Sequence, residues 1–180
     1  MSLGFLVLAF VAVVNPARVR LGAPEKDRAG LVALGSLMVF AVCAALAAPA
    51  AEILAALDVS PESFRLATGL VLAVEGAWTL VRTSSPAEAV LPGRLAALVP
   101  VAFPLLLTPG LVALALGAGA DASTAETLGA LASALVLAIV GATLRSGSFA
   151  VVVLAAAARL LAAAEIVAGV VVGVEGIRDV

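Results

Sequence analysis

Histidine and tyrosine are missing altogether from this 180-residue chain, which holds one cysteine and one tryptophan. Without histidine there is no imidazole for a metal site or for a serine-histidine pair, and without tyrosine no phenol for acid-base work. Cys43 lies in an apolar run, has no partner for an internal disulfide, and is read as a small packing residue. No CxxC, HExxH, GxSxG or phosphate-loop spacing occurs. The chain is therefore expected not to be an enzyme, with no cofactor and no metal. Charge is scarce as well: 12% of residues are Asp, Glu, Lys or Arg, about half of what soluble domains carry. The basic residues do not interleave with aromatics, which argues against nucleic acid as a partner. The amino terminus has no basic stretch, and Asn15-Pro16 is a poor cleavage context, so no cleaved signal peptide is expected.

What is abundant is apolar surface. Hydrophobic residues make up 64% of the chain and the mean hydropathy is +1.25, more than a soluble domain of this length can hide. The expected class is an all-α integral membrane protein whose first partner is the lipid bilayer. A spanning helix needs about 20 predominantly apolar residues. On that measure six segments stand out: Leu3 to Val14 (short), Leu31 to Leu57, Phe64 to Val81, Leu95 to Ala120, Thr124 to Leu144 and Phe149 to Gly176. The stretches between them carry turn chemistry, with Pro24, Pro61, Pro86 and Pro92 in the first three, a capping box at Ser123 and Glu126, and Arg145 to Ser148 last.

Lysine and arginine resist translocation and so report orientation. Arg18, Arg20, Lys26, Arg28, Arg82, Arg94 and Arg145 fall on one side, and Arg65 and Arg178 on the other, with Arg159 inside the last apolar run. This bias places both termini outside the cytoplasm of a bacterial plasma membrane. Three spans in residues 1–82 and three in 94–180, joined by a cytoplasmic linker at 83–93, would make the second half enter upside down relative to the first. An inverted 3+3 repeat within a single membrane domain is the expected architecture.

The halves also share marks. Ala9-Phe10 is followed after four residues by Asn15-Pro16, and Ala102-Phe103 after four by Thr108-Pro109-Gly110. Ala9 to Ala102 is a step of 93 residues, and Arg65 to Arg159 one of 94. Proline removes a donor and clashes with the preceding turn, so helices 1 and 4 are expected to break there. In a bilayer such a break is tolerated where it is buried in protein or lines a wet cavity, and paired breaks in two halves point to a transporter's binding site. Asn15, Pro16, Thr108, Pro109 and Gly110 are accordingly the candidate substrate-binding residues. The half-helix after each break offers free N–H groups suited to a carboxylate.

An ionisable side chain deep in the bilayer costs about 3 kcal/mol on insertion scales, which makes each a functional candidate. Glu165 falls near mid-membrane and Glu75 one turn from its repeat equivalent. Both are candidate proton-coupling residues, since a carboxyl group held away from water can take up and release a proton. The competing reading is structural pairing with arginine. Arg65 is expected to mark a helix boundary and to pair with Glu62 one turn back. Gly169 and Gly173 form a GxxxG pair and are the candidate helix-packing residues.

Several of these stretches resemble the MarC-like integral membrane proteins, within the lysine-exporter superfamily. The matching residues are Asn15-Pro16, Ser60-Pro61 with Phe64-Arg65 and Ala67-Thr68-Gly69, the run Val99 to Gly110, Arg159, and Glu175-Gly176-Ile177. The resemblance spans nearly the whole chain, and the run Val99 to Gly110 is its most specific part. It implies a six-helix plasma-membrane protein, some of whose relatives are regarded as carriers of small neutral amino acids. Arg18 and Arg20 so soon after Asn-Pro, and Thr68 in place of the usual glycine, depart from the pattern; Arg18 is thereby placed to meet an anionic substrate or headgroup. The leading expectation is a secondary transporter or exporter of small solutes, such as small neutral amino acids, with proton coupling. The alternative is a non-transporting membrane subunit that packs against a second copy or a larger complex through its Gly/Ala faces.

Overall fold

A computed structural model describes residues 1–82, 91–144 and 148–178. Most of the linker at 83–93, and Arg145, lie outside the described residues. Eight helices are present among them: α1 (Leu3–Val14), α2 (Pro16–Gly22), α3 (Arg28–Ala47), α4 (Ala50–Ala56), α5 (Pro61–Val81), α6 (Pro109–Asp121), α7 (Thr124–Thr143) and α8 (Ser148–Arg178). Ahead of α6 the chain runs through an irregular, loosely helical stretch, Gly93–Leu106. Five helices are long and apolar enough to cross a membrane, or six if the bent pair Gly93–Leu106 and Pro109–Asp121 counts as one.

The polar-proline dipeptides set where helices begin. Asn15, Ser60 and Thr108 each cap a helix whose first residue is proline, and each side chain accepts a backbone N–H, from Arg18, Ser63 and Leu111 respectively. Proline suits that first position because its missing N–H would be unpaired there anyway. At Asn15 the backbone enters the left-handed region, with φ 47°, so α1 stops and α2 restarts at once. The first segment is consequently longer than its apolar run indicated. It passes the break and reaches Gly22, a 20-residue span and the most enclosed of the set. Arg18 and Arg20 are carried inside it because carbonyls meet them: Arg18 Nη2 donates to Leu105 O at 2.9 Å and Arg20 Nη2 to Leu144 O at 2.7 Å.

Two further segments depart from the sequence reading. Leu31 to Leu57 is not one helix; it divides at Ala48-Pro49, because the Pro49 ring cannot donate to the turn before it and crowds that turn's carbonyl. The fourth segment is irregular up to Leu106 and turns by 70° into α6. Val99 and Phe103 are extended, as residues before proline prefer, and both of those proline bonds are cis.

The tightest pairing in the fold is α5 against α8. A Cβ on Gly69 would lie 2.5 Å from Gly169 O and from Gly173 N, and one on Gly76 would lie 2.8 Å from Ala162 O. Around α1, Ala9, Phe10, Ala12, Val13 and Val14 are wholly buried, while Leu37, Val136, Val140, Leu160 and Val167 face outward as a lipid-exposed belt. At the start of α7 the capping box is formed, with Ser123 Oγ accepting from Glu126 N and Glu126 Oε2 from Ser123 N. Ser123→Ala removes one arm of it and is expected to lower stability by about 1 kcal/mol. A thermal melt in mild detergent with no shift would show that the box contributes nothing.

Candidate functional site

On α5 and its C-cap, residues 65, 68, 72, 75, 79 and 82 recur at steps of three and four, so the helical ones share one stripe that Arg82 extends. That stripe faces α6 and the chain leading into it. Thr68 Oγ1 donates to Ala113 O at 3.5 Å, and Glu75 Oε2 accepts from Gly110 N at 2.7 Å. Thr79 Oγ1 accepts from Arg18 Nη1 at 3.3 Å. At the far end Arg65 pairs with Asp121, Nε to Oδ2 at 2.8 Å. The expected partner of Arg65, Glu62, is therefore wrong. Arg65 turns toward α6, where both members of the pair are shielded, and a shielded partner holds a guanidinium more firmly than a solvated neighbour one turn away.

Along the Arg82 half of this stripe lies an open groove of about 730 Å³, lined by α5, by Arg18, and by Pro104, Thr108 and Pro109 at the second break. That volume lies within the usual range for small-molecule sites, about 300–1,000 Å³. Its wall is apolar, from Leu70, Val71, Val74 and Trp78, and its polar groups are Arg18, Glu75, Thr79, Thr108 and Arg82. Arg82 stacks over the Trp78 ring at 3.9 Å, which turns its charge across the rim.

Arg18 joins the two breaks. It sits three residues past Asn15, and its guanidinium reaches Leu105, three residues ahead of Thr108. Its Nε is buried and has no hydrogen-bond partner among the described residues. Behind the groove Glu165 is 1% exposed, with Oε1 likewise unpartnered among the described residues, and both Glu75 and Arg18 act on it electrostatically. One half-buried cation and two carboxylates thus stand in one neighbourhood.

The sequence-derived candidates divide. Thr108 and Pro109 line the groove, whereas Asn15, Pro16 and Gly110 do not. Asn15 is fully buried: its Oδ1 accepts from Arg18 N, and its Nδ2 donates to Ala158 O at 2.9 Å. Both polar ends of that side chain are thus committed to the fold. At the second break the free N–H of the half-helix, expected to meet a substrate carboxylate, is already met by Glu75. A Cβ on Gly110 would lie 2.6 Å from that carboxylate, so glycine there is what allows it to seat. Gly169 and Gly173 lie in the α5/α8 contact, away from the groove. Arg65 and Arg159, equivalent by offset, are not equivalent in place: Arg65 is paired and shielded, while Arg159 is exposed on α8.

Sequence reasoning passed over Thr79, Trp78 and Asp121, used Arg82 only as a marker of orientation, and placed Arg18 against an anionic substrate or headgroup without its contacts to Thr79 and Leu105. The three-four spacing along α5 was the signal that would have grouped all five polar or charged positions of the stripe, Arg65, Thr68, Glu75, Thr79 and Arg82. No spacing rule links Arg18 or Asp121 to them. Among the described residues no set of three or more metal-binding side chains gathers.

No curated protein and no solved structure matches the chain. A model of the MarC family integral membrane proteins matches residues 7–179, nearly the full length. With that match set beside the apolar spans and the proline-capped breaks, the chain belongs to the MarC family of integral membrane proteins.

Proposed function

We propose that the chain is a non-enzymatic secondary carrier of small solutes, small neutral amino acids in particular, with proton coupling. The observation that carries this reading is the groove that ends on the second break, with Arg18 and Glu75 set in otherwise apolar surroundings. A zwitterion matches such a site: its carboxylate meets the Arg18 side, its ammonium the Glu75 side, and a small apolar side chain the wall of Val71 and Val74. Counting the bent pair as one span, each half contributes three spans, 1–82 and 94–180, and these insert as an inverted repeat with helices 1 and 4 broken. Lys26, Arg82 and Arg94 then mark the cytoplasmic side of a bacterial plasma membrane, with both termini opposite. Glu165 and Glu75 carry the coupling proton.

The test is counterflow of radiolabelled alanine in proteoliposomes. Thr108→Ala removes a groove hydroxyl that also caps α6, and it is expected to lower flux about tenfold, the equivalent of one hydrogen bond. Asn15→Ala leaves the Arg18 N–H without its cap and removes the tie to the Ala158 carbonyl in a buried place, and is expected to abolish flux through displacement of Arg18. Full flux in both variants removes this reading. A stable hetero-complex with no flux in the parent protein would replace it with that of a non-transporting membrane subunit.

A further inference from the structure

We propose that the Arg65–Asp121 ion pair is the closed gate at the end of the solute path opposite the groove, and that it opens when the groove closes. The inference rests on the carrier reading above. Along α5 the groove runs from Leu70 to Arg82, and Arg65 lies beyond its inner end. Five residues of helix separate Arg65 from Leu70, about 7.5 Å. Over that length the α5/α6 seam is shut by direct contact. Asp121 holds Arg65, Ala113 takes the Thr68 hydroxyl, and Gly117 lies close enough that a Cβ on it would touch Thr68 Oγ1 at 3.4 Å. The space enclosed by Met1, Arg65, Thr68, Gly117, Asp121 and Val172 has no room for a water molecule. From Leu70 onward α5 also borders open space, and the groove runs from there past the break at which α6 begins.

The seam therefore behaves as a clothes-peg closed at one end and open at the other. The polar pins at its two ends differ in kind. Glu75 on Gly110 N is held at the break, where α6 begins and its orientation is set, whereas Arg65–Asp121 is at the free end of α6, next to the turn into α7. Rocking α6 about the Thr108 break, where the chain already bends by 70°, moves Asp121 most and Gly110 least. A carrier that alternates access must open this end, and the ion pair is the polar contact that such a movement breaks first. Its side chains are 15% and 8% exposed, so opening restores water to both charges, which offsets part of the loss and leaves the pair reversible.

The experiment places a single cysteine in a Cys43→Ala background and follows labelling by a charged methanethiosulfonate reagent in lipid nanodiscs. Thr68→Cys reports the sealed end and Val71→Cys the groove. With the pair intact, Thr68→Cys reacts slowly and Val71→Cys fast. Neutralising the pair by Asp121→Asn, or by Arg65→Gln, is expected to raise the Thr68→Cys rate about tenfold and to lower the Val71→Cys rate, as a shift between two states requires. Arg65→Asp with Asp121→Arg is expected to restore both rates. Unchanged rates, or a rise at both sites together, overturn the gate: the first marks a static pair, the second a loosened bundle. Should the rates shift reciprocally while alanine counterflow is absent from the parent protein, the gate stands and the carrier reading falls.

Discussion

Gly169→Ala is expected to leave little folded protein, while Gly173→Ala, in the same GxxxG pair, is expected to fold at close to the parent yield. A methyl group on Gly169 would be 2.6 Å from Gly69 O and 2.7 Å from Ala73 N. Both obstacles are main chain and cannot swing aside as a side chain does, so α5 and α8 must move apart along the whole contact. Overpacking typically costs about 1–3 kcal/mol, and a clash with rigid backbone falls at the upper end. At Gly173 the nearest atoms to an added Cβ are 3.8 Å away, at Gly69 Cα and the Leu66 side chain, which is ordinary contact. Gly69→Ala is expected to fail like Gly169→Ala, since its Cβ meets Gly169 O and Gly173 N at 2.5 Å. Size-exclusion profiles and melting midpoints in mild detergent separate these cases. A monodisperse Gly169→Ala as stable as Gly173→Ala would show that the helices do not approach this closely.

Glu165→Gln is expected to abolish solute accumulation driven by a proton gradient while sparing counterflow. The carboxyl is 1% exposed with one oxygen unpartnered among the described residues, and it lies within electrostatic reach of Arg18 and Glu75. An ionised carboxylate left unpaired deep in a bilayer is costly, so its charge must be balanced by Arg18 or by a proton as the neighbourhood rearranges. Glutamine has the same shape and keeps an acceptor oxygen, but it cannot take up or release a proton. Exchange of labelled for unlabelled solute needs no net proton movement and so survives. Pumping against a gradient needs one and falls to the passive level, a loss of about tenfold or more in accumulation ratio if each decade of solute gradient corresponds to about 1.4 kcal/mol. Glu75→Gln keeps an oxygen that can accept from Gly110 N and is expected to lower proton-driven accumulation as well, since Glu75 shares the coupling proton. Proton-driven accumulation that is undiminished in Glu165→Gln would remove Glu165 from the coupling step.

Much of this was written in one dimension. That the chain belongs in a bilayer follows from its composition, because apolar residues in such excess have nowhere else to go. Where the helices start was also legible, since a polar residue followed by proline is a cap whatever surrounds it, and Asn15, Ser60 and Thr108 each act as one. The break at Pro49 has no polar cap before it, only the proline itself, and was overlooked inside a long apolar run. A mid-helix position for Glu165 was read from its distance to the ends of an uninterrupted helix, whereas its enclosure by neighbouring helices was not.

Partnership was not written there. That Arg65 chooses Asp121 over Glu62, that Glu75 rather than a solute meets the first turn of α6, and that Arg18 reaches Leu105 all depend on residues 35 to 87 positions apart. In the GxxxG pair the sequence marks both glycines alike, yet a Cβ on Gly169 would run into backbone while one on Gly173 would meet its neighbours at ordinary contact distance. Composition and helical period fix what a residue is and which side of its own helix it occupies. Which neighbour that side meets is set by how the helices pack, and at these separations a rotation of a fraction of a turn exchanges one partner for another.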